Sequence, residues 1–368
     1  MSLTCEVITG HRNLDALRPA IEALYFRAER PNPYMCPGWV FSWLKTLGKS
    51  EVPVCLVLKD EETLRAFWPY FECYSLTGKG LWPLGAHCAD LFDPLMDLPG
   101  EQLPDELLNG LEFLLKSYDF IWLPLLDRLR AVEDIGPRLK AQGLRHLVRP
   151  RTENQKIYLP ETGFEAFHKE HMGSKSRQNL RRKLRRLEEQ GTVSFGVLTE
   201  PEAVKDFLPI MIAIERKSWK GQQKLGIFSK KSIKEFYQEA IPAMARDGEL
   251  RIDTLSLGER VIAYEFSLVR DGYRCVHNQA YLPEFKEWSP GSLLLLHTLE
   301  WAFSSGLSIV DFMQGKHDYK LRLATDSRLL YDVNLFARNR NGLLNYLAVK
   351  LFSRRVKNSY KSSDSEDV

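Results

Sequence analysis

The stretch Trp288-Ser289-Pro290-Gly291-Ser292-Leu293-Leu294-Leu295-Leu296-His297 begins like a helix whose first turn holds no carboxylate. Ser289 is a good N-cap, because its hydroxyl can accept from a free backbone N–H, and Pro290 suits the first helical position. A helix over 292–304 should follow, apolar on nearly every side and therefore buried, with Gly306 ending it. The helix macrodipole favours acids in a first turn, yet this one offers Pro290, Gly291, Ser292 and Leu293. Because Gly291 has no side chain, backbone N–H groups there can approach an anion such as a phosphate. An ordinary capped helix fits the same residues, so on this stretch alone both readings stand.

Working outward, 250–257 reads as a strand, Gly258-Glu259-Arg260 as a turn, and 261–269 as a second strand with Ile262, Tyr264, Phe266 and Leu268 on one face. Asp271-Gly272 is a hairpin signal. The third strand, 273–281, alternates, with Cys275, His277 and Gln279 on one face and Val276, Asn278 and Ala280 on the other. After the helix, 307–313 reads as a strand, and a crossover of this length makes two parallel strands. Upstream lie a strand at 192–197 and helices at 201–216 and 232–246; downstream lies a strand at 329–337.

The N-terminal half repeats part of this plan without repeating its sequence. Helical patterns cover 13–29 and 37–47, strands cover 52–58 and 63–72, and an irregular stretch fills 75–100. A helix over 105–117 then leads into a strand over 120–125. Its crossover helix opens Glu101-Gln102-Leu103-Pro104-Asp105-Glu106, so acids already answer its positive end. The C-terminal half is therefore the expected cofactor-binding half. The expected fold class is α+β, two tandem domains that each carry a mixed, mainly antiparallel sheet flanked by helices. The expected domains are 1–150, without cofactor; 151–345, including a basic helix over 174–190; and a tail, 346–368, basic then acidic and partly disordered.

A chain of 368 residues with 44% apolar and 27% charged residues has an ordinary globular composition. The net charge of +3 is too small to imply a polyanion partner by itself. Cys5, Cys36, Cys55, Cys73, Cys88 and Cys275 are scattered, which argues against a metal site and for a reducing compartment. The start lacks the basic-then-apolar order of a signal peptide, and no apolar run approaches the roughly 20 residues that span a bilayer. The expectation is a cytoplasmic protein without a transmembrane segment.

The order of elements resembles the GNAT acyltransferase fold, and the sequence resembles the CelD/BcsL-like group of that superfamily, related to the Fem peptidyltransferases. The matching residues are Tyr281-Leu282-Pro283-Glu284-Phe285, then Ser289-Pro290-Gly291 with Leu293, then Asp311-Phe312, Gly315 and Tyr319-Lys320, together with the helix 174–182 and Trp39 and Trp43. The resemblance spans about 34–336. It implies an N-acyltransferase that takes acetyl-CoA or a longer acyl-CoA as co-substrate, with the pyrophosphate held by Ser289, Pro290, Gly291 and Ser292. Ser-Pro-Gly stands where most GNAT enzymes carry Gln/Arg-x-x-Gly-x-Gly/Ala.

Direct transfer needs a deprotonated amine, an acyl thioester held beside it and a proton donor for the departing thiolate. In a GNAT slot the pantetheine arm lies between two splayed parallel strands, here 273–281 and 307–313, with backbone near Gln279 and Ala280 polarising the carbonyl. Candidates for the base are His277, which titrates in the useful range, Glu265, whose pKa rises if it is buried, and Asp311, near the end of a buried strand. Tyr319 is the candidate acid. Each has a structural alternative: His277 a packed strand residue, Glu265 a solvent-facing one, Asp311 a turn cap or partner of Lys320, and Tyr319-Lys320 a surface pair. Lys320 is otherwise a substrate or phosphate ligand. The run Lys175 to Arg186, including Arg177 and Arg181, has no acid and forms a cationic helix face beside the stripe Leu180, Leu184 and Leu187. That face is a solvated helix, an anionic-substrate surface or an RNA surface. The acceptor is expected to be a small molecule or cell-envelope precursor. Two other readings remain open: Fem-like transfer from aminoacyl-tRNA, and a non-catalytic binding protein on the same fold.

Overall fold

A computed structural model describes residues 3–98, 102–127, 129, 131–315 and 318–363, with side chains left out over 352–363 and at 131. Glu101 and the last five residues of the tail lie outside the described residues. The chain opens with β1 (Leu3–Thr9), α1 (His11–Ala16), α2 (Arg18–Arg27), α3 (Pro37–Lys45), β2 (Pro53–Asp60), β3 (Thr63–Ser75), β4 (Gly78–Pro83), β5 (Leu95–Met96), α4 (Asp105–Leu114), β6 (Phe120–Leu126), α5 (Gly136–Ala141) and β7 (Arg145–Tyr158). It continues with α6 (Phe164–His171), α7 (Ser174–Glu188), β8 (Val193–Leu198), α8 (Pro201–Lys217), α9 (Trp219–Gln222), α10 (Lys231–Arg246), β9 (Leu250–Leu257), β10 (Arg260–Arg270), β11 (Tyr273–Tyr281), α11 (Pro290–Ser304), β12 (Ile309–Gln314), α12 (Asp318–Leu323), β13 (Asp326–Phe336) and α13 (Arg340–Ser363).

Two compact units result: residues 1–28, 50–152 and 329–368 form the first, and 29–49 with 153–328 the second. Two segments cross a linear division of the chain. Residues 29–49 join the second unit because α3 packs on α10. Gly38 donates its N–H to Asp247 at 2.6 Å, a Cβ on Gly38 would stand 2.6 Å from the Met244 nitrogen, and Trp39 meets the Phe236 ring at 4.9 Å. Residues 329–345 join the first unit because β13 pairs antiparallel with β6, from Tyr331↔Leu126 to Phe336↔Phe120. Of the tail expected at 346–368, α13 carries the chain as helix to Ser363, and the last five residues lie outside the described residues.

In the first unit β1, β2, β3 and β4 pair antiparallel in sequence order, and β4 pairs parallel with β6. The apolar face of α4 (Leu107, Leu108, Leu111, Leu114) closes a core with Leu56, Trp68, Ile121 and Val333. In the second unit β8, β9, β10 and β11 form the antiparallel run, β11 pairs parallel with β12, and β12 pairs antiparallel with β7. Asp271 and Gly272 both have positive φ, 47° and 74°, as the mirror-image turn of a two-residue hairpin requires. Leu295, Leu299 and Ala302 of α11 pack on Ile157, Val276, Val310 and Phe312. Both units are thus mixed α/β assemblies with the same sheet order. The strands β1, β4, β5 and β7 were not anticipated: β4 and β5 lie in the stretch taken as irregular, and β7 (RHLVRPRTENQKIY) is too polar and charged for the alternation that marks a half-buried strand.

Candidate active site

The parallel strands β11 and β12 pair at only three positions, Tyr273↔Ile309, Arg274↔Val310 and Cys275↔Asp311, and then part. Both become irregular there. On β11, Phe266 of β10 faces Asn278 while the next residue, Ser267, faces Val276, so His277 is the extra residue of a β-bulge. On β12, the register with β7 breaks between Asp311 and Gln314, and Met313 turns left-handed at φ 57°. Asp311 holds this turn. Wholly buried, it accepts the Met313 N–H at 2.8 Å on Oδ1, and on Oδ2 it accepts the Asn154 amide (3.0 Å), the Tyr273 hydroxyl (2.6 Å) and Lys156 Nζ (3.3 Å). Its cationic partner is Lys156, where the sequence offered Lys320. Lys320 is buried and donates to the carbonyls of Phe312 (2.7 Å) and Gln314 (2.9 Å), standing in for a β partner at the end of β12. Both residues have structural work at the mouth of the opening.

The bulge also redistributes side chains that strict alternation had grouped. Cys275 Sγ and His277 both meet the hydroxyl of Tyr34, at 3.6 and 2.9 Å. Asn278 joins that side, accepting from Tyr264 (2.9 Å) and donating to buried Glu215 (3.0 Å). Gln279 turns the other way and donates to the Tyr319 hydroxyl at 2.9 Å, while its own carbonyl accepts from Lys220 at 3.1 Å. His277 is half-buried among aromatic rings, with the Tyr34 hydroxyl 2.9 Å from Nδ1 and the Tyr237 hydroxyl 2.7 Å from Nε2. A neutral imidazole has one donor and one acceptor nitrogen, so one phenol donates to the ring and the other accepts.

Glu265 is wholly buried and faces α11. It pairs with Arg274 and accepts from Thr298 at 3.0 Å, and its Oε2 makes no hydrogen bond. Burial pushes its carboxyl above the ordinary value and Asp253 adds to the rise, against the pull of Arg274. Burial, reinforced by the charge of Glu265, likewise raises the Tyr319 phenol.

A cavity of about 200 Å³ opens at the start of α11. Ser176, Asn179 and Lys183 of α7, Ser289 and Ser292 at the start of α11, and Tyr319 and Arg322 of α12 line it. The expected side-chain cap by Ser289 is corrected. This residue is left-handed (φ 53°, ψ 53°), its hydroxyl accepts from Lys183 Nζ at 2.6 Å, and only its carbonyl caps the helix, taking the N–H groups of Ser292 (3.0 Å) and Leu293 (3.1 Å). The first turn holds no acid, and a Cβ on Gly291 would meet only the Tyr281 ring, at 3.4 Å. Ala280 is buried on β11 and pairs with Tyr264, beyond the last contact with β12. Of the α7 cations singled out earlier, Arg177 donates to the carbonyls of Lys169 (3.1 Å) and Met172 at the end of α6, and Arg181 is exposed.

The parting thus gathers His277, Gln279 and Ala280 on β11, while the cavity gathers Ser289, Ser292 and Tyr319. Sequence reasoning did not single out Tyr34, Tyr237, Lys156 or Arg322, and it placed Lys183 in the cationic run without grouping it with Ser176 and Asn179 on one face. That face was findable, because positions three and four apart share one side of a helix. Among the described residues no cluster of three or more His, Cys, Asp or Glu could hold a metal ion, and no helix is long and apolar enough to cross a membrane.

Residues 174–321 match the family model of the acetyltransferase (GNAT) domain, and the matched stretch lies within the second unit. Among solved structures, FemX is similar over 92% of this chain and 99% of its own, with TM-score 0.62 at 9% identity. The C-terminal domain of a putative lysylphosphatidylglycerol synthetase from Agrobacterium fabrum is similar over 92% and 97%, with TM-score 0.56 at 13% identity. A conserved protein of unknown function from Bacteroides thetaiotaomicron follows over 87% and 97%, with TM-score 0.55 at 10% identity. At these identities the likeness is one of fold. No curated protein matches the chain.

Proposed function

We propose that the second unit transfers an acyl group from acyl-CoA to an amine. The observation that carries this reading is the parting of β11 and β12 together with a cavity at an acid-free helix start lined by Lys183 and Arg322, the two linked by the Gln279–Tyr319 hydrogen bond. Donor phosphates are held there by backbone N–H groups and by these two cations, which add charge-assisted hydrogen bonds. The thioester supplies an activated acyl group; the chain binds it, orients it and moves protons. The edge of β11 that β12 leaves unpaired, around Gln279 and Ala280, takes the pantetheine arm and orients the carbonyl. Tyr319 is protonated at neutral pH, as any phenol is, and can donate to the departing thiolate; burial raises its pKa and so holds the proton more firmly. The phenol that donates to His277 passes its hydroxyl proton to the ring and takes the amine proton in its place, leaving a two-donor imidazolium between Tyr34 and Tyr237.

Titration calorimetry of acetyl-CoA and longer acyl-CoAs into the wild type and Gly291→Asp tests this. The account expects micromolar binding by wild type, weakened tenfold or more in a variant that stays folded. No binding of any acyl-CoA by folded wild type would overturn it.

One observation favours a second reading: Lys175, Arg181, Arg182, Arg185 and Arg186 of α7 are all exposed. Such a cationic face suits an aminoacyl-tRNA donor, as the Fem-like resemblance implies. This reading predicts that activity is lost after RNase treatment, whereas the acyl-CoA reading predicts no change.

A further inference from the structure

The last helix has two unlike faces. α13 covers 24 residues, about 36 Å at the usual helical rise, and starts with Asn339, whose side chain accepts the Gly342 N–H at 2.7 Å. One face is fixed to the first unit. Asn345 accepts from the Thr77 hydroxyl at 2.6 Å and donates to the Thr77 carbonyl at 3.0 Å, and Tyr346 meets the Phe336 ring at 5.6 Å. Leu343, Leu344, Leu347 and Leu351 form a stripe at i, i+4 and i+3 spacing that is exposed, Leu351 to 61%. Thr77 belongs to the β3–β4 hairpin tip, where Leu76 is fully exposed and Tyr74 is 76% exposed. Six large apolar side chains therefore face solvent along one helix and the turn that holds it, which is unusual for a protein with nothing bound there.

The charge of the segment says what covers it. From Asn334 to Ser363 the sequence has no Asp or Glu, and it carries Arg338, Arg340, Lys350, Arg354, Arg355, Lys357 and Lys361. Two copies meeting leucine to leucine would bring Arg338, Arg340 and Lys350 together, and the nearest acids after them in the sequence are Asp364, Glu366 and Asp367. A bilayer with anionic headgroups satisfies both features. The leucines enter the boundary between headgroups and acyl chains, and the positive charge of the segment draws it to the anionic headgroups. We propose that α13, with the hairpin tip at Tyr74 and Leu76, seats the protein on an anionic membrane surface, lying on it rather than crossing it.

Sedimentation of the full chain with vesicles tests this, comparing equal parts phosphatidylglycerol and phosphatidylcholine with phosphatidylcholine alone. The expected result is binding to the anionic vesicles that fades with added salt. Arg340→Gln with Lys350→Gln should weaken it about tenfold or more, because both side chains are exposed. Leu343→Ser with Leu347→Ser should weaken it by about tenfold or more while thermal melting stays unchanged, because these leucines are exposed. Three outcomes overturn the proposal: no sedimentation with anionic vesicles at low salt, equal binding to neutral vesicles, or a concentration-dependent dimer that the leucine substitutions abolish.

Discussion

The two units each contain a parallel pair that parts, and they treat the opening differently. In the first, β4 and β6 pair at Gly80↔Phe120 and Leu81↔Ile121; the next residues, Trp82 and Trp122, meet ring to ring at 5.2 Å. In the second, the β11–β12 pairing gives way to a bulge at His277 and a cavity beside α11. Each unit has a left-handed residue on its parting strand, Leu125 at φ 49° and Met313 at φ 57°, and in each a buried aspartate accepts that residue's N–H. The helices differ most: α4 starts with Asp105 and Glu106, whereas the first turn of α11 is free of acid. On the proposed function, the charge at the helix start and the side chains just past the last pair set the two openings apart.

The largest expected effect concerns the two aspartates. Asp311→Ala leaves Lys156 buried without its carboxylate partner and should cost about 3–5 kcal/mol. Asp332→Ala in the first unit should cost less, because its partner Arg151 is largely exposed and 4.0 Å away. Thermal melting of both variants checks this, and equal losses would remove the distinction between the two partings.

Next come the charges at the cavity. Lys183→Ala and Arg322→Ala should each weaken acyl-CoA binding about tenfold, the loss of one charge-assisted hydrogen bond. The converse change in the first unit, Asp105→Asn with Glu106→Gln, should create no binding while Trp82 and Trp122 fill the opening. A gain of acyl-CoA affinity there would mean that charge alone separates the units.

A smaller effect is pH-dependent. The raised pKa of Glu265 means that its stabilising contribution is fully present below the ordinary value of 4.5 and is lost as pH rises through the folded value. Glu265→Gln should flatten stability over that window, and Asp332→Asn should do the same for the first unit from 3.8 upward. Melting temperatures across the acid range check both. Smallest of all are the dipole effects: Asp105→Asn should cost about 0.3–1 kcal/mol, and Gly291→Asp should stabilise α11 by a similar amount while it weakens donor binding. A Gly291→Asp variant that melts earlier would show that it damages the helix, and its weaker binding would then say nothing about the phosphate site.

Much of the fold was legible because the second unit keeps local rules. β9 to β11 alternate, Asp271-Gly272 forms the turn its chemistry demands, and α11 follows its proline. What escaped depends on distant partners. β7 is polar and becomes a strand by pairing with β12; the pairing of Tyr34 with His277 joins residues 243 apart. The bulge at His277 leaves no mark in the alternation around it, so Gln279 was placed on the wrong side. Ser289 had the residue type of a cap, and its left-handed backbone sent the hydroxyl to Lys183 instead.

The central claim is that the second unit's opening takes the donor and the first unit's does not. Hydrogen exchange of the full chain with and without acetyl-CoA tests it most directly. The account predicts slower exchange at the backbone amides of 276–281, 291–293 and 176–183, with no change at 81–84 and 105–108. Protection around Trp82 and the start of α4, with none at the start of α11, would contradict it.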